Sequence, residues 1–92
     1  MGTLHVDQGA VEAISKGGSL LPVGMLQIEG EFRRGDTVRV VEPSGKEIAR
    51  GLSNYAAIDL GKISGKHSDR IESILGFAYG EEVIHRNNMV LL

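Results

Sequence analysis

Apolar and polar positions alternate over Thr3-Leu4-His5-Val6, which predicts a short strand with Leu4 and Val6 facing inward. The period then changes. Ala10, Val11, Ala13 and Ile14 recur at helical spacing, so residues 8–16 read as a helix with one apolar stripe. Asp7 stands at its N-cap, and Lys16 falls in the last turn, where a cation suits the helix dipole. Gly17 is a natural residue to leave the helix in a left-handed conformation. Residues 24–29 read as a strand with Leu26 and Ile28 on one face, and Arg33-Arg34-Gly35-Asp36 as a turn. Thr37-Val38-Arg39-Val40-Val41 is β-branched, alternating and the clearest strand of the chain. Glu42-Pro43-Ser44-Gly45-Lys46 predicts a hairpin turn, in which Pro43 presets φ and Gly45 takes the left-handed position. Residues 47–54 return as a strand, and Gly51 inside it predicts a bulge or sharp bend.

The following stretch is helical. Asn54 is placed to start a short helix over residues 55–63. Asp69 with Glu72 has the form of a capping box, Ile71, Ile74 and Leu75 share a face, and Gly76 ends the element. Residues 82–85 and 89–91 read as one or two closing strands, with any break at Asn87-Asn88. The order defines an α+β, mainly β domain. It is a strongly bent, mostly antiparallel sheet or partly open barrel, with one helix after the first strand and one or two short helices before the last.

Composition narrows the class. Ninety-two residues, 41% of them hydrophobic, supply one small core and no second. With no cysteine, disulfides, thiolate metal sites and cysteine nucleophiles are excluded. No apolar run approaches the length of a membrane span, and residues 1–7 lack the basic and apolar regions of a signal peptide. A cytoplasmic domain with no membrane partner is the expectation. Thirteen glycines, about twice the usual share, imply many tight turns. The net charge is -2 and both halves carry it evenly, so no half has the basic excess of a dedicated nucleic-acid binder.

Candidate chemistry is sparse. Gly30-Glu31-Phe32-Arg33-Arg34-Gly35-Asp36-Thr37 has the spacing of a phosphate-binding loop, but Asp36 stands where lysine is required and would repel phosphate. Gly61-Lys62-Ile63-Ser64-Gly65-Lys66-His67 has too few residues between its glycines. His5, His67 and His85 share no ligand spacing, although His5 and His85 would meet if their strands were neighbours. Glu81 and Glu82 are adjacent, so on a strand they face opposite ways and cannot work as an acid–base pair. No catalytic residue, metal ligand or cofactor site is expected, and the chain alone reads as no enzyme.

Two features have a binding reading. Gly17-Gly18-Ser19-Leu20-Leu21-Pro22-Val23-Gly24 is either a helix exit with Leu20 and Leu21 in the core, or a rim whose glycine N–H groups face a phosphate or sugar. Residue chemistry favours the helix exit. Lys66, His67, Arg70, His85 and Arg86 form either one cationic patch or separate solvated charges offset by Asp69, Glu81 and Glu82. Phe32, Tyr55, Phe77 and Tyr79 are too few for a stacking platform, and the last three read as packing residues.

Val6-Asp7-Gln8-Gly9-Ala10, the helix, and the glycine loop together resemble the opening of a PUA domain, the family named for pseudouridine synthases and archaeosine transglycosylases. Phe32-Arg33-Arg34-Gly35-Asp36-Thr37-Val38 and Ile48-Ala49-Arg50-Gly51-Leu52-Ser53-Asn54-Tyr55 continue the likeness. Gly65-Lys66-His67-Ser68 and Gly80-Glu81-Glu82-Val83-Ile84-His85-Arg86-Asn87-Asn88-Met89-Val90 narrow it to the C-terminal PUA domain of the bacterial glutamate 5-kinase family. The resemblance implies that residues 1–92 are a single PUA domain, a bent pseudo-barrel, cut from a larger kinase chain. It implies an N-terminal amino-acid-kinase domain as partner, which holds ATP and magnesium and phosphorylates the γ-carboxylate of glutamate in proline biosynthesis. The domain's own part is then regulation, assembly or RNA binding. Many PUA domains take structured RNA on the first helix, the loop after it and the last strand. Those positions make Lys16, Gly17, Gly18, Ser19, Leu20, Leu21, His85 and Arg86 the candidate binding residues. The alternative is an RNA-binding module of an RNA-modification protein. A net charge of -2 weighs against either RNA reading, because phosphate contacts supply most non-specific affinity.

Overall fold

A computed structural model describes residues 2–92. Five strands form one mixed sheet in the order β2-β1-β3-β4-β5, with β1 at Gly2–Val6, β2 at Met25–Glu29, β3 at Thr37–Val41, β4 at Glu47–Leu52 and β5 at Met89–Leu91. Only β1 and β3 run parallel; every other neighbouring pair is antiparallel. The sheet is open and does not close into a barrel. Helix α1 (Gln8–Ser15) follows the first strand, and two short helices, α2 (Ala57–Ile63) and α3 (Ile71–Leu75), precede the last.

Two bulges bend the sheet. His5 pairs with Gln27 but Val6 with Met25, which leaves Leu26 as the extra residue on β2. Val40 pairs with Ala49 but Val41 with Glu47, which leaves Ile48 over on β4. The first bulge corrects the face expected for β2. It turns Met25 into the core and strands Leu26 in solvent at 62% exposure. Gly51, the expected bulge, pairs regularly with Val38 and instead admits a close approach. A Cβ there would lie 2.6 Å from the Asn88 carbonyl oxygen and 2.7 Å from Ile84 Cγ2.

The core lies between the inner face of the sheet and the helices. Leu4 and Val6 of β1, Val38 and Val40 of β3, and Ala49 of β4 meet Ile14, Leu60, Ile63 and Ile71 from the helices. Tyr55, Val83 and Ile84 close it from the irregular segments. Burial of such side chains contributes about 1.5–3 kcal/mol each, as an upper estimate.

Several helix starts differ from expectation. Ala56, without any side-chain cap, precedes α2, because Asn54 is spent elsewhere: its backbone N–H donates to the Val83 carbonyl at 2.8 Å and its amide to the Glu82 carbonyl at 3.1 Å. The Asp69–Glu72 capping box does not form; a 3-10 turn at Ser68–Arg70 leads straight into α3. Gly76 does end α3, at φ 84°. Residues 82–85 make no strand beyond one bridge, Leu20 to Ile84, and a 3-10 turn at Arg86–Asn88 separates them from β5.

Candidate functional site

The candidate residues gather where α1 ends. Asp7 caps the start of the helix by accepting the Ala10 N–H at 2.8 Å, and its own N–H donates to Gly24 at 2.9 Å. That second bond ties the helix start to the 3-10 turn at Pro22–Gly24. At the other end, Gly17 adopts φ 88° and donates to the Ile14 carbonyl at 2.9 Å, while Gly18 donates to Ala13 at 2.8 Å. These are the two bonds of a Schellman cap. The glycine N–H groups therefore satisfy the helix and are not free to face a phosphate. The rim reading of those two donors is corrected on this point.

Beyond the cap the loop turns into the core. Leu20 is fully buried, and its N–H donates to Ile84 at 3.0 Å while its carbonyl accepts from Val83 at 2.7 Å. Leu21 points the other way and is 40% exposed, against the expectation that both leucines enter the core. Ser19 reaches across to the closing segment, where its Oγ accepts the Arg86 N–H at 2.8 Å. The structure thus brings Gly17, Gly18 and Ser19 beside Arg86 from the opposite end of the sequence, while Leu20 goes into the core and Leu21 into the neighbouring recess. His85 turns its Nδ1 inward to accept the Asn87 N–H at 3.1 Å, which steadies the turn that carries Arg86.

Two shallow recesses flank this junction. One, about 220 Å³, is bounded by Ala10 and Ala13 of α1 and by Leu21, Val23 and Gly24, with Asp7 at its end. The other, about 170 Å³, lies between Gly17, Gly18, Arg86 and the apolar side chains Ile14, Met89 and Leu91. The first was not foreseen as a recess. The signal was there: Ala10 and Ala13, three apart, leave a low wall on α1 opposite the loop. Chemically the face offers two exposed cations, Lys16 and Arg86, an open apolar wall, and no acid–base pair.

The other candidates disperse. His5, on β1, is bonded through Nε2 to Glu29, across the β1–β2 pair, so it does not meet His85. Lys66, His67 and Arg70 stand around the 3-10 turn before α3, apart from the recess that Arg86 lines. Asp36 uses its carboxylate to accept the Arg33 N–H at 2.8 Å, so residues 33–36 form a closed reverse turn. No group of three or more His, Cys, Asp or Glu side chains comes together among the described residues. No helix among them is long and apolar enough to cross a membrane.

Tyr55 is the one aromatic ring fully inside. Its hydroxyl donates to the Gly80 carbonyl and accepts the Tyr79 N–H, both at 2.7 Å. Burial holds its phenol pKa above the ordinary tyrosine value, partly offset by the Tyr79 bond and the Arg34 charge. Tyr79 and Phe77 pack on each other outside, with ring centroids 5.2 Å apart.

A mixed five-stranded sheet with a capped helix after its first strand, and a glycine loop bonded to the closing turn, defines a small mixed α+β domain. The chain belongs to the PUA domain family, whose model matches residues 2–75. It is 54% identical over 92 residues to the glutamate 5-kinase of Shewanella sediminis, covering 99% of this chain and 25% of that protein. The glutamate 5-kinase of Deinococcus radiodurans is 51% identical over the same length and coverage. The chain spans about a quarter of the length of the curated relatives it matches. Among solved structures, a PUA domain of Aeropyrum pernix K1 in complex with tartrate superposes with a TM-score of 0.67. The two share 26% identity, and the match covers 91% of this chain and 41% of that one.

Proposed function

We propose that this chain is the non-catalytic PUA domain of a cytoplasmic glutamate 5-kinase, and that it serves the catalytic domain as a regulatory or assembly module. The observation that carries the reading is the 54% identity sustained across 99% of the chain, against 26% for the Aeropyrum domain. The parent enzyme would transfer a phosphoryl group from ATP to the glutamate γ-carboxylate, with ATP and magnesium held outside these 92 residues. The face around Lys16, Gly17, Gly18, Ser19, His85 and Arg86, with Leu21 at its edge and Leu20 buried beneath it, is its contact surface. The test is direct. The full-length product should phosphorylate glutamate and the 92-residue chain should not. Turnover by the 92-residue chain that survives repurification, or a full-length product with no glutamate-dependent ATP consumption, overturns the reading.

A second reading is that this face takes structured RNA. It is favoured by the Ser19–Arg86 bond, which holds a cation beside the glycine cap. A gel shift with structured RNA at low salt decides it, and absence of binding there rejects it.

A further inference from the structure

A second polar recess lies away from the α1 face, where the turn before β3, the end of β4 and the 3-10 turn at Arg86–Asn88 meet. It encloses about 280 Å³ and is lined by Arg34, Gly35, Leu52, Ser53, Asn54 and Asn88. Its backbone floor is already satisfied: the Gly35 N–H donates to Ser53 at 2.7 Å, and the Ser53 N–H donates to Asp36 at 3.0 Å. The donors left over belong to side chains. Arg34 is the main one. Its guanidinium carbon sits 3.8 Å from the centre of the Tyr79 ring, so the ring holds the cation by its face and leaves the N–H edge open.

That placement is anchored in the core. Tyr79 is fixed through its N–H to the buried Tyr55 hydroxyl, so Arg34 rests on a ring that rests on the interior. The ion pairs among the described residues are His5–Glu29 and Arg50–Glu47, and neither involves Arg34. The Asn54 amide is oriented by its bond to the Glu82 carbonyl, and among the described residues the Asn88 side chain makes no hydrogen bond. A preorganised guanidinium edge beside two amides is a fork for the oxygens of one anionic group.

We propose that this recess is an oxyanion subsite, taking a phosphate or carboxylate group on the Arg34 edge with Asn54 and Asn88 beside it. The open mouth suits either a small free anion or one phosphate of a nucleic-acid strand, and the two sources separate experimentally. Amide chemical shifts of the 92-residue chain are followed while inorganic phosphate, acetate or a short single-stranded RNA is added at constant ionic strength, with chloride as the control. Saturable shifts are expected at Gly35, Asn54 and Asn88. Arg34→Gln should weaken the binding about tenfold, and Tyr79→Leu, which removes the ring beneath the cation, should weaken it several-fold. Lys46→Gln, on the exposed turn between β3 and β4, should leave it unchanged. Saturation by phosphate or acetate assigns a free-anion site; saturation by the oligonucleotide alone assigns a backbone-phosphate site. Linear, non-saturating shifts with every probe overturn the proposal, as does saturation that Arg34→Gln leaves intact while the spectrum stays that of a folded protein.

Discussion

Tyr55 organises the least regular quarter of the molecule. One hydroxyl accepts from Tyr79 and donates to Gly80, so a single oxygen anchors the first part of a segment that Asn54 and Leu20 hold further on. Tyr55→Phe removes both bonds and leaves the Tyr79 N–H and the Gly80 carbonyl, which belong to exposed residues, to turn to water. The expected loss is about 1–3 kcal/mol, read from urea denaturation. The same group sets an alkaline limit. Because the folded-state pKa is raised above the unfolded value of 10.0, its contribution is fully present below that value and is lost as pH rises through the folded pKa. Wild type should therefore lose melting temperature above about pH 10 more steeply than Tyr55→Phe. Parallel pH profiles would show that the phenol is not the group responsible. Two glycines make a complementary pair. Gly45 has φ 95° and empty space where a Cβ would go, so Gly45→Val costs only backbone strain, about 1–2 kcal/mol. Gly51 has ordinary φ but no room, so Gly51→Ala must push Asn88 and Ile84 away, at about 1–3 kcal/mol. An unchanged melting temperature in either variant contradicts the corresponding reason. Gly45 was legible because its turn is local. Gly51 was not, because the atoms that crowd it come from a segment more than thirty residues further on.

The elements divide along the same line. Strand β3, its hairpin with β4, helix α1 and both of its caps are written in neighbouring residues, and each forms where the pattern puts it. Most of what failed needed a distant partner, the local Asp69–Glu72 capping box being an exception. Asn54 looks like a helix start until Val83 and Glu82 claim its donors. Residues 82–85 carry adjacent β-branched Val83 and Ile84 but have only Leu20 to bridge to, so they stop at one bridge. The candidate face has the same character: its residue types were legible, and the bond that joins its two halves was not. Ser19 supplies that bond, and its removal is informative. Ser19→Ala should cost about 0.5–1.5 kcal/mol. Its main effect should be faster amide exchange at Arg86 and Asn88, with the α1 amides unaffected. Equal loosening of α1 would mean that loop and helix open as one unit and that the bond is incidental.

The molecule as a whole is acidic, at net charge -2, so any nucleic-acid binding must come from a few local cations rather than from a general field. On the α1 face those are Lys16 at the helix end and Arg86 beside the glycine cap. Two phosphate contacts release few counterions, so the logarithm of the affinity should fall with the logarithm of salt at a slope of only about -1.8. Arg86→Ala should bring that slope down by about 1, and Lys16→Ala should do the same from the other side of the cap. A dedicated RNA reader with six or more contacts would show a slope several times steeper. The recess on the other side of the junction is largely apolar, with Ala10, Ala13, Leu21 and Val23 along it. Such a wall gains nothing from a phosphate chain and does gain from a protein surface that excludes water. Binding of RNA with a shallow slope, lost in both variants, supports an accessory RNA contact. Weak association that both variants leave unaltered assigns the face to a protein neighbour, the outcome expected from the proposed role beside a catalytic domain.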